Sequence, residues 1–224
     1  MEIDLKSLAA KQQELKKKLI IEPYNRAVRY ILGIDSSYVK TENIILSVAV
    51  VYDLELGDII ETAYEVGKAD FPYIPGYLSF REIPTTISAV KKIKSAYDLI
   101  MVDAQGVAHP RQIGFASHLG VVLDIPTIGC AKKRLIGEYE VPSIEKGSFS
   151  FLYFKGLEVG AVLRTKKNVK PVFISPGHRT DISSSIRIVL DATKNYRLPE
   201  PVRLAHIYSR KTISEVEKKS FNRL

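Results

Sequence analysis

Cysteine is almost absent from this sequence. Cys130 is the single one in 224 residues, so no intramolecular disulfide can form and no Cys-rich metal site can be built. A chain of this length buries a full core without covalent staples, and such cysteine usage fits a reducing, intracellular compartment. Long apolar runs are missing too. The longest, Ile44 to Tyr52, is interrupted by Ser47 and is too short to cross a bilayer. The first residues, MEIDLK, lack the basic-then-apolar order of a signal peptide. A cytoplasmic protein with no membrane partner is expected. No Pro/Gly/Ser-rich linker and no internal repeat divides the chain, so one domain over 1–224 is expected. There is no Walker A or dinucleotide glycine pattern and no serine-centred nucleophile elbow. His/Cys spacing for zinc is also lacking, which argues against a zinc-dependent base deaminase.

What is present is apolar material and positive charge. Hydrophobic residues make up 46%, which excludes a disordered chain. Lys and Arg number 33 against 25 Asp and Glu, a net +8. A surplus of this size points to a polyanionic partner, a weak signal by itself.

The element pattern is mixed α/β. Leucines at 5, 8, 15 and 19 predict a helix with Asp4 as N-cap. Lys16-Lys17-Lys18 on that helix reads as a solvated face or as a binding patch. Strands are expected at Val28–Asp35, Ile44–Tyr52 and Ile59–Val66, the last two joined as a hairpin across Gly57. A proline-bearing loop, Gly67–Tyr77, leads into a helix through about Lys94, which Pro84 restarts or kinks. Leu99–Asp103 and Thr127–Cys130 read as buried parallel strands around a helix at Phe115–Leu123. Phe149–Phe154, Val159–Arg164 and Pro171–Ser175 read as antiparallel strands, and helices at Ile182–Lys194 and from Glu200 onward finish the chain. The result is a mixed central sheet, an antiparallel meander followed by parallel strands, flanked by helices.

Two carboxylates occupy matching places. Asp35 ends the first strand and Asp103 ends the strand after the first crossover helix. Ligands of open α/β sheets gather outside the carboxyl ends of the strands. If these strands are neighbours, the pair suits Mg²⁺, which prefers carboxylate, phosphate and water oxygens; otherwise each aspartate caps the element that follows it. Glu82 is a third candidate ligand or an exposed helix-start glutamate. His206 could bind a metal, shuttle a proton, or be structural. Lys132 follows the second parallel strand, where it could hold a phosphate or lie on the surface. The small-residue segment from Asp103 to Gly114 lets a ligand approach the backbone, so Ala104, Gln105 and Gly106 could read a base edge. His109 could position phosphate or water, or fix the loop, and His118 reads as packing or surface. Phe71–Gly76 is a stiff apolar loop. Tyr73 and Ile74 either form a wedge of the kind that enters base stacks or fold onto the core.

Six stretches then carry a resemblance: GIDSSY at 33–38, FPYIPGYLSFRE at 71–82, VDAQGVAHPRQIGFASHLG at 102–120, IPTIGCAKKRL at 125–135, SPGHRTD at 175–181 and LPEPVRLAHIY at 198–208. In this order they make the chain resemble the endonuclease V family over nearly its whole length. The resemblance implies a ribonuclease H-like fold. It implies Mg²⁺-dependent hydrolysis (Mn²⁺ substituting) of the second phosphodiester bond 3′ to a hypoxanthine nucleotide, leaving a 3′-hydroxyl and a 5′-phosphate. It implies Asp35, Glu82, Asp103 and His206 as the metal site and Lys132 as a further catalytic residue. Substrate contacts are implied at Pro72, Tyr73, Ile74, Pro75, Gly76, Leu78, Ala104, Gln105, Gly106 and His109, the proline-flanked loop being the wedge. The chain departs from the family at Ala104, where the family commonly has glycine, and at Phe115, bulkier than the expected small aliphatic residue. The expected partner of a monomer is DNA containing deoxyinosine. Inosine-containing RNA is the alternative substrate, and a non-catalytic nucleic-acid-binding protein on the same fold is the alternative class.

Overall fold

The computed structural model describes residues 4–39 and 43–221. Its elements run α1 (Leu5–Lys17), β1 (Tyr30–Val39), β2 (Ile44–Asp53), β3 (Asp58–Lys68), α2 (Leu78–Lys91), β4 (Leu99–Val102), α3 (Phe115–Leu123), β5 (Thr127–Ala131), β6 (Phe149–Phe154), β7 (Leu157–Leu163), β8 (Val172–Pro176), α4 (Ile182–Asp191) and α5 (Glu200–Phe221). The eight strands form one sheet in the order β3-β2-β1-β4-β5-β8-β7-β6. β1, β4 and β5 are mutually parallel, and every other neighbouring pair is antiparallel. This is the expected mixed, ribonuclease H-like sheet: a meander, two crossovers, then an antiparallel extension.

The sheet separates two apolar layers. Ile31, Leu99, Met101, Ile128 and Cys130 face the layer closed by α4 and the start of α5, through Ile186, Val189 and Val202. Leu32, Ile34, Ile100 and Val102 face the opposite layer, closed by α2 and α3 through Ile83, Val90, Phe115 and Leu119. β4 has no exposed face, which is why it reads as the unbroken run LIMV. Burying each such side chain contributes about 1.5–3 kcal/mol.

Several boundaries differ from the sequence reading. Pro84 lies inside α2 without dividing it. β1 starts at Tyr30 because the Asp98 carboxylate takes the N–H groups of Arg29 and Tyr30, each at 2.8 Å. α4 stops at Asp191 rather than Lys194. Asp4 does cap α1, its Oδ1 accepting from the N–H groups of Lys6 and Ser7. Among the described residues no helix is long and apolar enough to cross a membrane.

Candidate active site

β1 and β4 run parallel until Ile34 meets Val102, and the next residue on each is a carboxylate, Asp35 and Asp103. Asp35 does not end its strand. β1 continues to Val39 because β2 supplies antiparallel partners, with Asp35 opposite Val48. Side chains alternate across a strand. Asp35 therefore shares a face with Ile31, Asp103 with Met101, and Lys132 with Cys130, all on the α4/α5 side. Three parallel strands thus deliver two carboxylates and an ammonium to one place, and Lys132 Nζ makes an ion pair with Asp103.

α5 supplies the fourth group. A Cβ on Gly33 would overlap the carbonyl of Pro201, so only glycine lets the start of α5 lie on β1. The helix then carries His206 and Ser209, one turn apart, over Asp35. Ligand atoms of Asp35, Asp103 and His206 all lie within 4.8 Å of one another. His206 Nδ1 is 3.2 Å from Asp35 Oδ2, and the Ser209 hydroxyl donates to the same oxygen. Ser37, two residues along β1 on the same face, donates to Ser209 at 3.1 Å.

Glu82 approaches from α2, in the opposite layer, and is not one of that tight group. It lines the same depression as Asp35 and Asp103. The Tyr38 hydroxyl donates to its carboxylate. Burial pushes Glu82 up to about 7, with Asp35 and Asp103 adding repulsion and the Tyr38 bond opposing it. Burial likewise raises Asp35, and Asp103 adds to this, while Ser209 and His206 pull it back. Crowded, half-buried carboxylates of this kind favour a cation. The oxygen donors fit Mg²⁺, and the imidazole beside them also fits Mn²⁺.

A cleft of about 380 Å³ opens next to this depression. Leu78, Asp103, Ala104 and Phe115 line both. Tyr73, Pro75 and Gly76 form one wall of the cleft and Lys133, Arg134 and Leu135 the other. Its floor is locked in place. A Cβ at Gly106 would overlap the Pro176 carbonyl, and the Gly106 N–H donates to Ser175 Oγ at 2.7 Å. The carbonyls of Gln105 and Gly106 accept from Ala116 and Gly114. Gln105 turns its side chain away, donating to the Lys133 carbonyl at 3.1 Å. Those groups are engaged in the scaffold, whereas the Ala104 peptide makes none of these bonds.

The family model for Endonuclease V matches residues 13–207. The chain belongs to the endonuclease V family. Endonuclease V of Dictyoglomus thermophilum is 49% identical over 203 residues, covering 91% of this chain and 88% of that protein. The crystal structure of the endonuclease V of Streptomyces avermitilis superposes with a TM-score of 0.92 at 38% identity, over 96% of each chain. The endonuclease V of Ciona intestinalis, solved in complex with a 24mer DNA containing an inosine followed by a ribo-adenosine, gives 0.84 at 28% identity, over 95% of this chain and 98% of that one. The chain is thus an endonuclease.

The loop of residues 71–76 presents Tyr73, 67% exposed, with Pro72 and Pro75 also exposed and Ile74 half-buried. His109 is buried at its foot. Its Nδ1 accepts from the Arg111 N–H at 3.3 Å, which places the proton on Nε2, 3.1 Å from the Gly76 carbonyl oxygen. Of the two readings of His109, this is the geometry of a loop fixer, although the residue also lines the cleft. His118 packs in α3 with Nδ1 2.9 Å from Ser79 Oγ and its ring edge against Phe80. Phe115 belongs to the α2/α3 core while touching both cavities.

Sequence reasoning missed Ser209 and Tyr38. The available signals were slight: Ser209 lies three residues beyond His206 on a helix, and Tyr38 three beyond Asp35 on a strand.

Proposed function

We propose that this protein is a Mg²⁺-dependent endonuclease that recognises deoxyinosine in DNA and hydrolyses the second phosphodiester bond on its 3′ side. One observation carries the reading: the depression holding Asp35, Asp103 and Glu82 borders the cleft beside the Tyr73 loop, the two sharing Leu78, Asp103, Ala104 and Phe115 as lining. A base lodged in the cleft fixes which phosphate reaches the carboxylates, and a set distance from lesion to cut follows.

In this reading Asp35, Asp103 and His206 hold the cation, with Glu82 completing the site from α2. The bound ion would neutralise phosphate oxygens and acidify water. Lys132, paired with Asp103, stands at the same carboxyl edge, where its ammonium would hold a phosphate oxygen. Water adds to phosphorus and the 3′ oxygen leaves with a proton, giving a 3′-hydroxyl and a 5′-phosphate. Ser209 and His206 fix the orientation of Asp35. Tyr73 and its neighbours fill the space left by the extruded base, offsetting part of the few kcal/mol that unstacking costs. The chain acts as one unit and as a monomer in the cytoplasm. The ribo-adenosine in the substrate bound to the Ciona protein favours a second reading, inosine in RNA.

The test is direct. End-labelled DNA and RNA strands, each with one hypoxanthine, are incubated with the protein with and without Mg²⁺, and the cut is mapped. Cleavage of the DNA immediately 3′ of the nucleotide that follows the lesion, dependent on Mg²⁺, is expected. A cut only in RNA selects the second reading, and binding without any cut selects a non-catalytic protein.

A further inference from the structure

α1 is an unusual helix. Its only fully buried residue is not one of its leucines but Gln12, 1% exposed. The Gln12 side chain reaches 64 residues along the chain to donate to the carbonyl oxygen of Gly76 at 3.0 Å. Arg111 Nη2 donates to the same oxygen at 2.6 Å and His109 Nε2 lies 3.1 Å from it. Three donors from two segments, α1 and the loop before α3, converge on one carbonyl, which has two lone pairs. Arg111 Nε also donates to Gln12 Oε1, so the two side chains act as one unit. The Arg111 guanidinium lies over the Tyr77 ring at 4.2 Å.

Gly76 is the last residue of the Tyr73 loop and has φ +81°, a left-handed conformation that a side chain would strain. A Cβ there would also stand 2.9 Å from Arg111 Nη2. The other end of the loop is tied as well, Arg81 Nη1 donating to the Phe71 carbonyl at 2.9 Å. α1 is itself fastened where it joins the body. The Ile20 N–H donates to His178 Nδ1 at 3.2 Å, and the Arg179 N–H donates to the Ile20 carbonyl at 2.7 Å. His178 and Arg179 of the SPGHRTD stretch thus moor the helix that moors the loop.

We propose that α1 is a strut for the Tyr73 loop, with Gln12 and Arg111 as positioning residues that hold the wedge through the Gly76 carbonyl. This rests on the wedge reading above. A loop that enters a duplex meets the resistance of the stack it parts. A loop anchored at both ends transmits that load to the fold, and one released at Gly76 gives way. A single strand offers little resistance, so the strut matters for duplex substrates and not for single strands.

Gln12→Met removes the hydrogen bonds at nearly constant volume. With the thermal midpoint retained, it should lower cleavage of an inosine-containing duplex about tenfold relative to the matching single strand, the worth of one well-made hydrogen bond. The fluorescence of a 2-aminopurine placed beside the inosine should report less unstacking in the duplex at saturating protein. Arg111→Met tests the same unit should Gln12→Met lose its fold. Adding either change to Tyr73→Ala should cost little more, because a wedge already removed needs no strut. If Tyr73→Ala loses duplex cleavage selectively and neither Gln12→Met nor Arg111→Met does, the strut is overturned and the wedge stands. If Gln12→Met lowers duplex and single-strand cleavage equally, its role is merely structural and the proposal fails. If Tyr73→Ala itself does not discriminate, the wedge reading fails and takes the strut with it.

Discussion

Gly33 on β1 lies against Pro201 on α5 so closely that a methyl group on the glycine would overlap the proline carbonyl. That contact decides where His206 and Ser209 fall, because both ride on α5, whose first turn holds Pro201. Gly33→Ala must push α5 off the strand. Overpacking of this kind costs about 1–3 kcal/mol, so the denaturation midpoint should drop. Divalent-cation affinity, followed by calorimetry on protein that remains folded, should drop with it. A variant that loses stability yet binds Mn²⁺ as before would detach α5 from the metal site.

Asp35→Asn and Asp103→Asn each remove one negative ligand while keeping shape. Cleavage should vanish in both, and binding of inosine-containing DNA without metal should hold or tighten, because repulsion toward phosphate falls. His206→Ala should reduce cleavage less, since it removes no negative charge. Gel-shift and cleavage assays on the same substrate check all three. Cleavage at the normal rate by either asparagine variant would contradict the assignment.

The parallel strands were legible because β4 is a short, wholly apolar run and β5 a short, buried one with a single polar residue, Thr127, each followed by a charged residue, and the pairing of Asp35 with Asp103 follows once β1 and β4 are neighbours. The end of β1 was not legible. GIDSSYV has no turn signal, and only the partner strand β2 explains why pairing persists to Val39. Glu82 could be placed near the site by motif but not by layer, since nothing in YLSFREIP shows that α2 covers the face opposite Asp35. Ser209, Tyr38 and Gln12 act through single hydrogen bonds made across long stretches of chain. Residues of such ordinary types leave no pattern in a sequence.

Stability should fall below neutral pH through two buried histidines. Burial pushes both His118 and His109 down to about 4, with Lys11 adding in the first case and Arg111 in the second. In the unfolded chain each titrates near 6.5, so between about 6.5 and 4 the unfolded state binds more protons and stability rises with pH. The loss on going from pH 7 to pH 5 is about 2 kcal/mol per histidine. His118→Gln, which can keep the bond to Ser79, should remove its share of that slope. Unfolding titrations at pH 7 and pH 5 measure it, and an unchanged slope would mean that His118 takes up a proton without unfolding.

Ala104 carries a methyl group at the boundary between the carboxylate depression and the cleft. The carbonyls of Gln105 and Gly106 are engaged by Ala116 and Gly114 and the Ala104 carbonyl packs against Gly129, which leaves the 104 methyl group and the peptide behind it toward the cavities that the residue lines. Removing the methyl should let a purine approach that peptide more closely. Inosine and adenine differ along the base edge at positions 1 and 6, so closer contact with that edge should sharpen their discrimination. Ala104→Gly should therefore raise the ratio of kcat/KM for inosine over adenine by roughly tenfold, the scale of one methyl group in a tight pocket. The gain should be equal in duplex and single strand, because in the proposed mechanism the cleft acts after extrusion and the wedge before it. Matched substrates of both forms, assayed with the variant and the parent, separate the two steps. A gain confined to the duplex would place Ala104 in extrusion, and no gain in either form would remove the 104 peptide from base reading.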